Sequence, residues 1–246
     1  MLTVFVINTL LVSVRLTPLL VASPIAFFVR IPLSVRMLLA LALAVVMASA
    51  LPDRPVQISP AIIGGELLLG VVMAFGFHAA HAALDMLGKL IDTQIGLNAA
   101  GVFDPGTATV TGIIAEFLVL AFAMLFVVLN QHHELLRVFS GLLTVVPPGS
   151  VSLAVLSVSL AQVMTQQFLL AFMIVVPVIV ALWLTDTAFA LMARSMPQAN
   201  VYFLALPVKL GLGVLVLLLS LPLMVQRIPL LFEQALRFSA FPLGAP

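Results

Sequence analysis

Cysteine is absent from the 246 residues, and charged residues make up only 8% of the chain. The first absence excludes disulfides, thiolate nucleophiles and cysteine-ligated metal sites. The second excludes an ordinary soluble domain, in which roughly a quarter of the residues are charged. The chain is instead 63% hydrophobic, with a mean hydropathy of +1.31. Because apolar runs of about 20 residues recur along the whole length, the sequence predicts an all-α integral membrane protein.

The few charges are balanced and dispersed. The 10 basic and 9 acidic residues give a formal net charge of +1 and form no basic stripe that could neutralise nucleic-acid phosphates. Catalytic patterns are also missing, since the sequence has no Gly-x-Ser-x-Gly motif and no carboxylate pair at a defined spacing. The sequence therefore predicts neither a nucleic-acid partner nor an enzyme, and it indicates no cofactor.

Apolar blocks divide the chain into candidate helices of one membrane domain, residues 1–246. The blocks run Leu2–Phe28, Ile31–Leu51, Ile58–Leu84, Val110–Leu129, Val138–Leu184 and Val201–Val225. The first block is expected to stay in the mature protein, because no basic segment precedes it as in a signal peptide. The break at Pro147-Pro148-Gly149 leaves a piece from Val138 that is too short to span a bilayer. That piece is either a re-entrant or interfacial segment, or the tail of the preceding helix.

Two interruptions differ from ordinary loops. Between Asp92 and Thr107, glycines at 96, 101 and 106 together with Asp104-Pro105 defeat a continuous helix, so this stretch is predicted to be an amphipathic loop. The second interruption, Arg194–Asn200, is a polar connector between two strongly apolar helices. Pro207 and Lys209 follow inside the second of these helices.

Several costly residues fall inside the apolar blocks. The charged ones are Arg15, Glu66, Glu116 and Lys209. A charge at the centre of a lipid-facing helix costs about 2.5 to 3.5 kcal/mol on insertion scales, so these side chains are expected to face protein or water. Prolines inside the apolar blocks also indicate burial against protein, because a proline leaves backbone groups without a partner in its own helix and neighbouring helices must bond them. They are Pro18, Pro24, Pro177 and Pro207. A single helical bundle has few buried positions for so many charges and prolines, so we infer contacts with partner subunits.

Three stretches of the chain resemble a known family. They are Ala99–Pro105, Asn130–Leu136 and Ala193–Lys209. Together they are similar to the FliR/SctT family of type III export-gate subunits, whose members serve flagellar export or virulence secretion. The third stretch is the specific one, because it combines a Pro-Gln-x-Asn run with a Pro-x-Lys a few residues later. The likeness covers most of the chain in order and spacing.

The resemblance implies a non-enzymatic channel subunit for the export of unfolded flagellar proteins. The implied fold resembles a fusion of FliP-like and FliQ-like helical hairpins. One such subunit would be wound with several copies of those two partners into a closed helical assembly, beside an FlhB-like gate subunit. The implied location is the bacterial inner membrane, at the flagellar basal body. Phe103-Asp104-Pro105 and His132-His133 favour the flagellar branch over the virulence branch.

The resemblance also assigns roles to two groups of residues. The Gly-rich loop, about Gly96 to Gly112, would project into the channel as a plug. Its predicted residues are Gly96, Gly101, Val102, Phe103, Asp104, Pro105 and Gly106. The polar connector and the helix after it would contact neighbouring subunits through Arg194, Pro197, Gln198, Asn200 and Lys209. The alternative for the Gly-rich loop is an ordinary surface connection. The alternative for the polar connector is a solvated turn. The family commonly has Asp-Gly where this chain has Asn130-Gln131, so a role for that acidic residue is not carried over.

Two other functions compete with this interpretation: a small-solute secondary transporter, and an intramembrane enzyme that uses the histidines. A small-solute secondary transporter would show paired internal repeats with matching broken helices, and no such pairing is evident in the sequence. A metal or proton site is geometrically possible at His78 and His81, which share a helical face with Asp85. Packed, hydrogen-bonded histidines are the commoner outcome, and no metal site is predicted.

Overall fold

The computed structural model describes residues 2–21, 31–52, 58–97, 112–150, 160–196 and 201–240. Within these ranges the chain forms seven α-helices and no strand. The helices are α1 (Leu2–Leu20), α2 (Leu33–Ser49), α3 (Pro60–Ile95), α4 (Ile113–Val128), α5 (Gln131–Val145), α6 (Leu160–Ser195) and α7 (Val201–Ala240). The prediction of an all-α protein is confirmed.

Four helices are long and apolar enough to cross a membrane: α1, α3, α6, and α7 from Phe203 onward. A fifth crossing results if α4 and α5 count as one broken span, because the pair passes the same test although it is bent by 68°. The bend falls at Leu129-Asn130, where Asn130 has a left-handed φ of 55° that asparagine tolerates better than most residues. The prediction of an integral membrane protein is confirmed.

Helix α3 is the centre of the fold and packs against α1, α4, α6 and α7. Close approach is possible because α3 has glycines where its neighbours cross. A Cβ on Gly76 would lie 2.9 Å from the Cα of Ala235 on α7, and a Cβ on Gly88 would lie 2.9 Å from the Cβ of Ala115 on α4. Small residues at such crossings let membrane helices pack backbone to backbone. Every other long helix is therefore positioned relative to α3.

Three helices extend beyond the apolar blocks from which they were predicted. Helix α3 continues through Asp92 to Ile95, so the prediction that Asp92 begins a loop is wrong. Arg194 likewise belongs to the last turn of α6 and not to the connector. Helix α7 runs to Ala240 in spite of Pro222 and Pro229. Polar side chains do not end a helix that has neighbours to bond them; in α3 the end comes at the left-handed glycine that follows.

The piece that begins at Val138 is the second half of α5, which starts at Gln131 and ends before the Pro147-Pro148-Gly149 turn. It is therefore the tail of a short helix that the bend at Asn130 separates from α4. Helix α2 lies against α1 with a narrow face of small residues, since its buried residues are Ala40, Ala44 and Ala48. Its opposite face exposes large apolar side chains such as Leu38 and Val46.

Candidate functional site

The Gly-rich loop leaves α3 at a glycine that ends the helix. Gly96 has a φ of 86°, a left-handed conformation that favours glycine because it lacks a Cβ. Its N–H donates to the Thr93 carbonyl at 3.2 Å, and the N–H of Leu97 donates to the Asp92 carbonyl at 3.0 Å. Gly96 thus fixes where the loop departs. The other predicted plug residues, Gly101, Val102, Phe103, Asp104, Pro105 and Gly106, lie outside the described residues.

The loop returns to α3 at the start of α4, and Asp92 holds it there. The Asp92 carboxylate is fully buried. One of its oxygens accepts a hydrogen bond from the N–H of Ile114 at 2.9 Å, and the other accepts one from the N–H of Ala115 at 3.0 Å. Gly112 precedes these residues, and a Cβ there would overlap the same carboxylate. We call Asp92 and the two N–H groups the Asp92 clamp.

The departing end of the loop also packs against α7. A Cβ on Gly96 would lie 2.7 Å from Leu206, and a Cβ on Gly213 would lie 2.7 Å from Ile95. The last residues of α3 are therefore held between α4 and α7. Lys209, which lies between these two contact points on α7, forms an ion pair with Asp186 of α6. The two ends of the Gly-rich loop and this ion pair thus belong to one end of the helical bundle.

The structure gives Lys209 an acidic partner, Asp186 of α6. The Lys209 side chain is 18% exposed and that of Asp186 is 38% exposed, so the pair lies at the surface of this single chain. Arg194 is exposed at the end of α6. Pro197, Gln198 and Asn200 lie outside the described residues. The structure therefore joins Lys209 to α6, and subunit contact through these five residues stays a prediction.

Replacing Lys209 by Met should destabilise the protein by about 1 kcal/mol, because Asp186 would keep a charge without its partner in a largely apolar region. Asp186→Asn should have a similar effect. Arg237→Met is the matched control, since Arg237 is exposed near the end of α7. Thermal unfolding of the purified protein in detergent measures all three variants. Equal shifts for Lys209→Met and Arg237→Met would mean that Lys209 only extends towards water.

A second polar network crosses the opposite end of α3. Arg15 and Glu66 are both fully buried, and Arg15 Nε donates to Glu66 Oε2 at 2.6 Å. Arg15 Nη1 also donates to the Val146 carbonyl at 2.9 Å, and the N–H of Gly149 donates to Glu66 Oε1 at 2.7 Å. The network joins α1, α3 and the turn after α5. Of the charges predicted to face protein or water, Arg15 and Glu66 face protein, whereas Glu116 lies exposed on α4.

The histidines do not form a metal site with the acidic residues that the structure describes. Within the described ranges no three His, Asp or Glu side chains come close enough together to hold a metal ion. Asp85, the third member of the possible triad with His78 and His81, instead accepts a hydrogen bond from Lys89 at 2.6 Å. The rings of His132 and His133 lie with centroids 4.2 Å apart at the start of α5, tilted by 52° to one another.

Sequence reasoning missed two residues of the loop base. The sequence places Asp92 at the start of the predicted loop, and no local pattern indicates that its carboxylate caps α4 from 22 residues away. Asp186 lay at the polar end of an apolar block and was not considered as the partner of Lys209. In both cases the missing information was which helices are neighbours.

Residues 6–235 match the family model described as bacterial export proteins, family 1. The flagellar biosynthetic protein FliR of Bacillus subtilis (strain 168) is 28% identical over 225 residues, which cover 86% of this chain and 85% of that protein. The protein of the same name in Escherichia coli (strain K12) is 24% identical over 225 residues, covering 89% and 86%. The surface presentation of antigens protein SpaR of Salmonella typhimurium is 28% identical over 195 residues, covering 75% and 65%.

Proposed function

Because this chain belongs to family 1 of the bacterial export proteins, as the match over residues 6–235 shows, we propose that it is a channel subunit of the flagellar type III export gate. In this role it assembles with FliP-like and FliQ-like membrane subunits, beside an FlhB-like subunit. Together they form the pore for unfolded flagellar proteins. The subunit acts without catalysis in the bacterial inner membrane, at the flagellar basal body. The relatives named flagellar biosynthetic protein FliR support the flagellar assignment.

The observation that carries assembly is the length of the apolar surface on α6. The helix has 36 residues and is therefore about 54 Å long. Large apolar side chains are exposed from Leu160 near its start, through Trp183, to Leu191 near its end. The hydrocarbon core of a bilayer is about 30 Å thick, and a helix of this length would fit only at a tilt of about 55°, beyond the usual range of about 0–40°. Lipid alone covers this length poorly, which supports a position in which partner proteins cover part of the surface.

The Gly-rich loop is the plug of this proposal. Its two ends are held close together by the Asp92 clamp, at one end of the bundle. The glycines at 101 and 106 supply backbone freedom, and Val102 and Phe103 supply apolar contacts. An apolar constriction blocks ions by excluding water, and it opens when the apolar groups move apart. The loop would therefore limit leakage until a substrate passes.

The polar connector after α6 is the proposed contact with neighbouring subunits. Arg194 is exposed at the end of α6 and offers its guanidinium to another chain. Gln198 and Asn200 can hydrogen-bond across a helix contact, which is how polar side chains support membrane assemblies. Asp186, the partner of Lys209, is more exposed than Lys209 and keeps acceptor capacity for a neighbouring subunit.

Native mass measurement after co-expression with the neighbouring genes tests this function. We expect a detergent-stable complex of one copy of this chain with several copies of two smaller membrane proteins. A lone monomer that binds a small solute would overturn the proposal in favour of a secondary transporter. Secretion of virulence proteins in place of flagellar ones would assign the same assembly to the branch that includes the SpaR relative.

Variants of the polar connector can be compared in the same co-purification experiment. In the variant Gln198→Leu with Asn200→Leu, polar groups on the neighbouring subunit would lose their hydrogen-bond partners, so fewer partner copies should co-purify. Arg237→Leu is the control, since Arg237 lies at the far end of α7. Wild-type recovery of partners, together with full motility, would remove Gln198 and Asn200 from the contact.

A further inference from the structure

The start of α4 is capped from outside the helix. The first N–H groups of a helix have no partner inside it, and a side chain just before the helix often accepts their hydrogen bonds. In α4 that position is Gly112, which has no side chain to offer. The Asp92 carboxylate takes its place from α3, although it lies 22 and 23 residues before the two donors, Ile114 and Ala115.

The chemistry of this cap is stronger than that of an ordinary hydroxyl cap. A carboxylate accepts charge-assisted hydrogen bonds, and its charge is favoured by the positive end of the helix dipole. Asp92 is fully buried, so water competes little for these bonds. The fit is also tight, because a side chain on Gly112 would occupy the carboxylate's space and one on Gly88 would overlap Ala115. The missing side chains at Gly112 and Gly88 therefore allow the first turn of α4 to approach the last turns of α3.

We propose that Asp92 is the positioning residue of the plug: by joining the first turn of α4 to the last turn of α3, it closes the base of the Gly-rich loop and keeps the loop in the channel. This inference rests on the proposed function of the loop. The residue that holds the loop in place is then Asp92 on α3, outside the loop itself. Without the carboxylate, the end of the loop at Gly112 is held to α3 only by packing such as that of Ala115 against Gly88, and the position of the plug is less fixed.

Asp92→Ala should raise the ion permeability of cells that make the whole gate. Loss of two charge-assisted hydrogen bonds should increase the open fraction about tenfold or more. Asp92→Asn keeps one acceptor oxygen and should leak less than Asp92→Ala. Asp85→Ala is the matched control, because Asp85 lies two turns earlier on α3 and pairs with Lys89, away from the loop ends. Conductance is compared at equal amounts of assembled gate.

A disulfide separates positioning of the loop from general stability. The ideal Cβ of Gly112 lies 3.2 Å from the Cβ of Asp92, a few tenths of an ångström below the usual range of about 3.5–4.5 Å for a disulfide. The double variant Asp92→Cys with Gly112→Cys should therefore form a bond without large rearrangement. The natural chain has no cysteine, so no other thiol of this subunit interferes. We expect the oxidised gate to be sealed and the reduced gate to leak like Asp92→Ala.

The outcomes separate the clamp from the plug. If a gate with a shortened loop leaks while Asp92→Ala and the reduced double variant remain sealed, the clamp is overturned and the plug stands. If none of the three leaks, the plug itself is wrong. If Asp92→Ala fails to assemble, the double variant decides: equal leakage before and after reduction overturns the clamp, and leakage only after reduction supports it.

Discussion

Cells whose export gate carries a loop shortened between Gly101 and Thr109 are expected to leak ions and small dyes while the gate itself stays assembled. The deletion removes Val102, Phe103 and the rigid Asp104-Pro105 pair. A wider constriction that has lost its apolar groups admits water, and ions follow the water. Assembly should survive because the Asp92 clamp and the contact of Gly96 with α7 lie outside the deletion.

A conductance or dye-uptake assay measures this leak, with the wild-type gate at the same expression level as the reference. Native mass of the extracted gate verifies that the shortened chain is incorporated in the normal ratio. The second control is the full-length variant Phe103→Leu. It keeps an apolar group in the loop and should leave the gate sealed. Unchanged permeability in an assembled, shortened gate would return the loop to an ordinary connection between helices.

The largest loss of stability is expected from Glu66→Leu. This change leaves the Arg15 guanidinium charged, fully buried and without its carboxylate. Breaking a buried ion pair by removing one partner costs about 3–5 kcal/mol, a large fraction of the stability of a typical domain. The N–H of Gly149 also loses its acceptor, so the turn after α5 detaches from α3. We expect little folded protein in the membrane.

The double variant Arg15→Met with Glu66→Leu tests whether the lone charge causes this loss. With neither charge present, the desolvation penalty disappears and folded protein should partly return. Recovery stays incomplete because the Val146 carbonyl and the Gly149 N–H have lost their partners. Glu134→Leu breaks the exposed pair with Arg137 and should change little. Fluorescence-detected size-exclusion and thermal melting compare the variants; equal losses in the single and double variants would contradict the argument.

Composition alone predicts a membrane protein, because a chain with so much apolar surface must be surrounded by lipid or by other protein and not by water. The same reasoning predicted that Arg15 and Glu66 face protein, which is confirmed. It could not predict that they bind each other, because the pair joins α1 to α3 across 51 residues and depends on how these helices pack. Lys209 is among the charges expected to face protein or water, and its ion pair with Asp186 of α6 could not be predicted for the same reason.

The loop boundary shows why the rest could not be predicted. Polar residues from Asp92 onward suggested a loop, because a single sequence does not reveal that a carboxylate is buried against another helix. The structure shows that the helix continues until Gly96, where the left-handed conformation ends it. In helix α7, residues that usually break a helix do not end it. Pro222 and Pro229 would end a helix in water but are tolerated within this one. Local patterns predicted the helices, and the contacts between them decided where the helices end.

The bend between α4 and α5 works as a length adjustment. The 26 positions from Glu66 to Asp92 correspond to about 39 Å along α3. Helices α4 and α5 have 16 and 15 residues, or about 24 and 22 Å, and form a rod of about 46 Å if straight. At the observed bend of 68° the ends of the two helices are about 39 Å apart, similar to the rise of α3 between Glu66 and Asp92. Straightening at Asn130 would lengthen the segment by about 7 Å, and the hydrogen bonds to Asp92 at one end and Glu66 at the other oppose that change.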